Sequence, residues 1–170
     1  MYTFRFATEK DFQKIKVMML QALIESSVAF TLTYSEATNA SDSWWNAYLN
    51  NFFDRKRGSM ILSFNQNELV GMGGILFNSY TKKKHVGELV WIYTDVGFRQ
   101  QGIAQKVLKE LINLAEENKL LKLNLSVINT QTKAINLYKK NGFVVSGIMK
   151  KEIKNNDIYQ DLILMEKFLA

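Results

Sequence analysis

Cysteine is missing from this sequence, proline is missing too, and histidine occurs once, as His85. Without cysteine there is no disulfide, no thiolate metal site and no cysteine nucleophile. Such a chain fits a reducing compartment, and a cytoplasmic location is expected. A single histidine excludes a site built on several imidazoles, and no metal is expected. No apolar run is long enough to cross a bilayer, so no membrane partner is expected. Met1 to Lys10 carries charge where a signal peptide would be apolar. The lack of proline is unusual, and no pattern in the sequence accounts for it. No linker, repeat or low-complexity segment interrupts residues 1–170, so one domain is expected.

What is present is the balance of a globular protein. Hydrophobic residues make up 47% and charged residues 22%, enough apolar surface to build a core. Lys+Arg 22 less Asp+Glu 16 leaves +6. That excess favours an anionic ligand and disfavours a polycationic one, and it does not bear on fold. The lysines at Lys82–Lys84 and Lys150–Lys151 are short clusters without interleaved aromatics, so nucleic-acid binding is not expected.

Periodicity divides the chain into elements. Thr3 to Ala7 alternates and predicts a strand. Thr8 caps a helix with Phe12, Ile15, Met19, Ala22 and Leu23 on one face. Ser26 to Ala40 has no period and is read as a loop. Ser41 or Asp42 caps a second helix through Trp44, Trp45, Tyr48 and Phe52. Met60–Phe64 and Leu69–Asn78 form a hairpin around Asn65–Asn67. His85 to Asp95 is a strand, apolar on both faces over Leu89–Tyr93, as in a covered central strand. Gly102 to Asn118 is the most strongly amphipathic helix. Leu121 to Val127 is a strand, and Gln131 to Lys140 a helix stopped by Asn141-Gly142. Phe143–Ile153 and Ile158–Phe168 are strands around an Asn155–Asp157 turn. The order β-α-α-β-β-β-α-β-α-β-β describes an α+β domain.

Chemistry enters at Val96-Gly97-Phe98-Arg99-Gln100-Gln101-Gly102-Ile103-Ala104, between a strand and a helix. The start of a helix offers unpaired backbone N–H groups at the positive end of its dipole, which suits a pyrophosphate. Gly102 and Ala104 keep side chains out of the way, and Arg99 adds a cation for phosphate oxygens. One glycine at such a turn is weak evidence by itself. The pattern Arg-x-x-Gly-x-Ala, however, resembles motif A of the GNAT superfamily of N-acetyltransferases. It lacks the Lys-Ser/Thr pair of a Walker A loop and the three spaced glycines of a dinucleotide fingerprint. Many members have proline where Val96 stands and glycine where Gln100 stands. A second segment, Leu125-Ser126-Val127 followed by Ala134-Ile135-Asn136-Leu137-Tyr138-Lys139-Lys140-Asn141-Gly142-Phe143, resembles motif B of the same superfamily, at the expected distance and in the expected order.

The resemblance implies a GNAT-like α+β fold, with a mixed, mostly antiparallel central sheet of about six to seven strands flanked by about four helices. It implies acetyl-CoA as cosubstrate and transfer of its acetyl group to an amine. Backbone amides of Arg99, Gln100, Gln101, Gly102, Ile103 and Ala104 would hold the pyrophosphate. A bulge near Ile92, Tyr93 and Thr94 would free N–H groups for the thioester carbonyl and the pantetheine arm. Asn129 or Gln131 would reach the CoA arm. Tyr138 would donate to the leaving sulfur, since a phenol is protonated at neutral pH; the bland alternative is a core aromatic. Glu88 stands where several members place a base, and burial would raise its pKa; the bland alternative is a solvated glutamate or one paired with Lys82–Lys84. Many members use a water chain instead. Phe30 and Tyr34 fall in a segment that often borders the acceptor site. His85, beside a polar turn, is expected at the surface, and at least one of Trp44 and Trp45 in the core. A non-catalytic acyl-CoA-binding module with the same fold is the rival reading. A homodimer through the C-terminal strands is common in the superfamily.

Overall fold

The computed structural model describes residues 1–169 as seven strands and five α-helices joined by short 3-10 turns. In chain order these are β1 (Tyr2–Phe6), α1 (Phe12–Glu25), α2 (Tyr34–Asn39), α3 (Asp42–Leu49), β2 (Gly58–Asn65), β3 (Glu68–Phe77), β4 (Val86–Thr94), α4 (Ile103–Glu117), β5 (Lys122–Ile128), α5 (Thr132–Lys140), β6 (Val144–Asn155) and β7 (Ile158–Phe168). The expected order holds with one addition. The segment read as a loop contains α2, whose Thr33 caps the helix by accepting from the Glu36 N–H while the Glu36 carboxylate accepts from the Thr33 N–H and hydroxyl. Thr33-x-x-Glu36 is a capping box, a signal present in the sequence but too short to show a helical period. Thr8 precedes a 3-10 turn over Glu9–Asp11, so Asp11 and not Thr8 stands before α1. Two further caps fall as expected. Ser41 accepts from the Trp44 N–H at the start of α3, and Gly142 takes φ +86° beyond the end of α5.

One sheet in the order β1-β2-β3-β4-β5-β7-β6 carries the fold. All neighbours are antiparallel except β4 and β5. Alternation along the strands sends Met60, Leu62 and Met72 to one face and Ile61 and Ile75 to the other, and a register shift between Ser63 and Phe64 brings Val70 to the second face as well. The first face packs on α1 and α3 through Ile15, Met19, Trp45 and Leu49. The second packs on α4 and α5 through Val107, Leu111, Ile135 and Tyr138. Helix α4 lies close because β3 is glycine-rich there. A Cβ on Gly71 would stand 2.7 Å from Ile103 Cγ2, and one on Gly73 2.6 Å from Val107 Cγ1.

Strand β4 departs from the expectation of a strand covered on both sides. It pairs with β5 only over Val86–Glu88 and Lys122–Asn124, after which the two separate. On its other edge the register with β3 slips between Met72 and Gly74, with Met72 opposite Tyr93 and Gly74 opposite Val90. The extra residue is a bulge, and Trp91 sits in it at φ +55°. Val90, Trp91 and Ile92 are half-buried because the parting strands open a cleft there. Their apolar character belongs to a cavity wall.

Candidate active site

The cavity between β4 and β5 has a volume of about 1130 Å³. At one end stands the loop before α4. Asp95 accepts from the Gly97 N–H at 2.8 Å and opens a 3-10 turn over Val96–Phe98. Gln100 (φ +64°) and Gly102 (φ +80°) both take left-handed conformations. Gln100 occupies the place where many GNAT proteins have glycine, and its backbone adopts the conformation that favours glycine. The first intrahelical bond of α4 runs from the Lys106 N–H to the Gly102 carbonyl. The N–H groups of Ile103, Ala104 and Gln105 therefore precede the helical ladder and have no partner within it. A Cβ on Gly102 would meet nothing within 4 Å. The backbone angle thus favours glycine there, and the space above it is open, as a cradle for a phosphate group requires. Lys133 and Lys140 of α5 line the same cavity and add positive charge.

Of the residues the sequence pointed to, Arg99, Gln100, Gly102, Ile103 and Ala104 line this cavity. Gln101 does not: its side chain turns away and accepts from the Tyr2 hydroxyl. Arg99 lies over the Tyr93 ring and donates through Nε to the Thr94 carbonyl at 3.1 Å and through Nη2 to Ser26 Oγ at 3.2 Å. It fastens the end of α1 to the loop before α4 and retains further N–H groups. Ile92, Tyr93 and Thr94 form the cavity wall beside the bulge. Thr94 Oγ1 is buried without a hydrogen-bond partner, an orphan polar atom of the kind a bound ligand satisfies. The Tyr93 hydroxyl leaves the cavity and donates to Glu25; burial, then that carboxylate, push the phenol well above its usual range.

Gln131 lines the cavity at the start of α5, whereas Asn129 lies outside it, its backbone N–H donating to the Asp161 carbonyl at 3.0 Å. Asn136, one helical turn further on, lines the cavity and was missed. It stands inside the motif B run, but only the helix geometry turns it inward. Tyr138 also lines the cavity while only 8% exposed. Burial, with no hydrogen bond to offset it, pushes its phenol up to about 12.

Two expectations are corrected. Glu88 lines the cavity but is exposed, so the burial invoked to tune it is absent. Its strand position is the last rung before β4 and β5 part, which opens it to solvent. Tyr34 begins α2 on an exposed face and lies outside the cavity, because the capping box turns that segment into a helix. Phe30 is a wall residue as expected, stacked on Trp91 with ring centroids 4.7 Å apart. Trp91 in turn donates its indole N–H to the Tyr48 hydroxyl. Neither Trp91 nor Tyr48 was singled out as a site residue, and the bulge that brings them together leaves no mark in the sequence. Trp45 is fully buried and donates to the Ala37 carbonyl, Trp44 is 38% exposed, and His85 is at the surface. Among the described residues no group of acids and histidine forms a metal site, and no helix is long and apolar enough to cross a membrane.

A strand that parts from its parallel neighbour, beside a helix that begins on a left-handed glycine, makes an open cleft with an anion-binding helix start at one end. The family model for the Acetyltransferase (GNAT) family matches residues 20–143, and this chain belongs to that family of acetyl-CoA-dependent acyltransferases. Over 164 residues it is 23% identical to the L-amino acid N-acetyltransferase AaaT of Escherichia coli (strain K12), covering 96% of this chain and 95% of that protein. A GNAT acetyltransferase from Streptococcus pneumoniae superimposes with a TM-score of 0.89 at 21% identity, covering 99% of this chain and 100% of that one. The ribosomal-protein-alanine N-acetyltransferase from Brucella melitensis does so with a TM-score of 0.81 at 25% identity, covering 98% and 99%.

Proposed function

We propose that this chain transfers the acetyl group of acetyl-CoA to a primary amine of a small molecule or protein by direct attack on the thioester. One observation carries it: a single cavity joins the loop before α4, the bulged stretch of β4, Tyr138 and the Phe30–Trp91 pair. The backbone N–H groups of Ile103 and Ala104 hold the pyrophosphate, with Lys133 and Lys140 nearby. The thioester supplies an acyl group already activated for transfer. N–H groups of β4 on the edge without a β5 partner stabilise the carbonyl oxygen as charge builds on it. The amine nitrogen bonds to the carbonyl carbon, the C–S bond breaks, and the Tyr138 hydroxyl protonates the departing sulfur. Glu88 is the one carboxylate among the described residues lining the cavity, and it takes the proton the amine must lose, directly or through water. The names of two relatives support an amine acceptor, one acting on L-amino acids and the other on a ribosomal-protein alanine.

The test is calorimetry with acetyl-CoA and CoA on the wild type and on Gly102→Glu. Micromolar binding by the wild type, lost in a folded Gly102→Glu, is the expected result. A folded wild type with no affinity for either ligand overturns the proposal.

A further inference from the structure

The phosphate loop and its cavity leave a second concavity unused. A cleft of about 540 Å³ opens at the opposite end of β4, within the size range of small-molecule sites. Its rim carries Lys82 and Lys83, which form a 3-10 turn between β3 and β4, together with His85. Its floor is Lys122 and Asn124 of β5, and its inner edge is Glu88. Glu88 lines the large cavity as well, so the two concavities meet at this residue. Lys122 is already paired with Glu166. Lys82 and Lys83 enter no ion pair with any described residue, so their ammonium groups are available to an incoming anion. This cleft is not the place for the phosphates of CoA. The loop before α4 follows the far end of β4, roughly 25 Å away by the ordinary rise of a strand.

We infer that the cleft is a subsite for a carboxylate on the acceptor, and that the substrate class is small zwitterions with a primary amine and a carboxylate a few bonds apart. This rests on the N-acetyltransferase proposal above. The chemistry follows from the order of groups along β4: cations at the outer end, Glu88 in the middle, the bulge with Trp91 beyond it. A zwitterion laid along that order sets its carboxylate on Lys82 and Lys83 and its ammonium on Glu88. Loss of the ammonium proton to Glu88 leaves the amine facing the bulged stretch where the thioester carbonyl sits. Charge alternation of this kind orients the substrate end to end, since the reversed pose puts like charges together at both ends. A protein N-terminus lacks the carboxylate on the reacting residue, so the cleft favours free small acceptors over polypeptides.

The experiment compares a panel of free amino acids with their carboxamides and decarboxylated amines, using the full chain and acetyl-CoA. Wild type is expected to acetylate at least one amino acid with a kcat/KM about tenfold or more above its carboxamide. In Lys82→Ala/Lys83→Ala, KM for that amino acid rises about tenfold, while KM for its carboxamide and Kd for acetyl-CoA do not move. Lys82→Arg/Lys83→Arg restores most of the preference. The inference is overturned if wild type acetylates carboxamides or plain amines as well as the acids, if no amino acid is acetylated although acetyl-CoA binds, or if the double alanine variant raises KM equally for acid and amide. Absence of acetyl-CoA binding is a different failure and strikes the N-acetyltransferase proposal itself.

Discussion

Tyr138 packs in the core and, in the reaction proposed above, also donates a proton. Its ring belongs to the core around α4 and α5 and packs edge-on against Phe143 at 6.0 Å. Its phenol is pushed up to about 12 by burial, so it holds its proton throughout the neutral range. A proton donor to a leaving thiolate needs that property. Tyr138→Phe keeps the ring and removes the proton. Steady-state kinetics are expected to show kcat lowered about 100-fold, with acetyl-CoA affinity by calorimetry changed less than about threefold. Because the group is protonated below its pKa, wild-type kcat is expected to show no loss from Tyr138 ionisation below about pH 11. An unchanged kcat in Tyr138→Phe would leave the residue with its packing role alone. The sequence pointed to Tyr138 through the motif B run. Glu88 was visible too, but its environment was not, because exposure on a strand depends on whether the next strand stays paired.

Among the elements, α4 and β3 are closely matched. The amphipathic stripe of α4 was plain in the sequence through Ile103, Val107, Leu108 and Leu111. The glycines of β3 gave no such signal, because glycine in a strand has several causes. In the fold they are spaces. Gly73→Ala would put a Cβ 2.6 Å from Val107 Cγ1 and 3.1 Å from Leu111 Cδ1. Both neighbours are held in the core, so the helix must shift. Thermal or urea unfolding is expected to show a loss of about 1–3 kcal/mol. Acetyl-CoA affinity should fall as well, because the pyrophosphate site proposed above lies at the first turn of α4. Affinity unchanged at reduced stability would mean that the helix pivots about its N-terminus instead of moving as a body.

On the scale of the whole molecule, the first strand is locked to the first helix by a pair that acid undoes. Arg5 donates two hydrogen bonds of 2.7 Å to the Asp11 carboxylate, which also accepts from the Thr8 N–H and hydroxyl at 2.9 Å each. Asp11 is 3% exposed. The Arg5 guanidinium, and after it Thr8, hold its pKa near 2 against burial, below the ordinary 3.8. A carboxyl depressed in the folded state adds stability in full above its unfolded pKa and loses it as pH falls through its folded pKa. The contribution is therefore present above pH 3.8 and gone by about pH 2. Arg5→Ala leaves Asp11 without its cation and is expected to cost about 1–3 kcal/mol at neutral pH, towards the low end because the Arg5 side chain is 47% exposed. Urea unfolding at pH 6 and pH 3 should show a smaller difference for Arg5→Ala than for wild type. An equal difference would mean that other carboxylates set the acid limit.

The sequence alone determined the element order but for one short helix, the mixed α+β class, and the two segments that mark the family. Those features are local: caps, periods of two and 3.6, and side chains within a few residues of one another. It also pointed to the loop before α4, because unpaired N–H groups at a helix start are a local property of a strand-to-helix junction. The parting of β4 from β5, the bulge at Trp91, the exposure of Glu88 and the meeting of the two concavities were decided by the tertiary structure. Each depends on the register between strands distant in sequence, and no single strand encodes where its neighbour stops pairing. The same reason separates Gln131, which faces the cavity, from Asn129 two residues before it. Which amide faces inward is set by how α5 docks on the sheet.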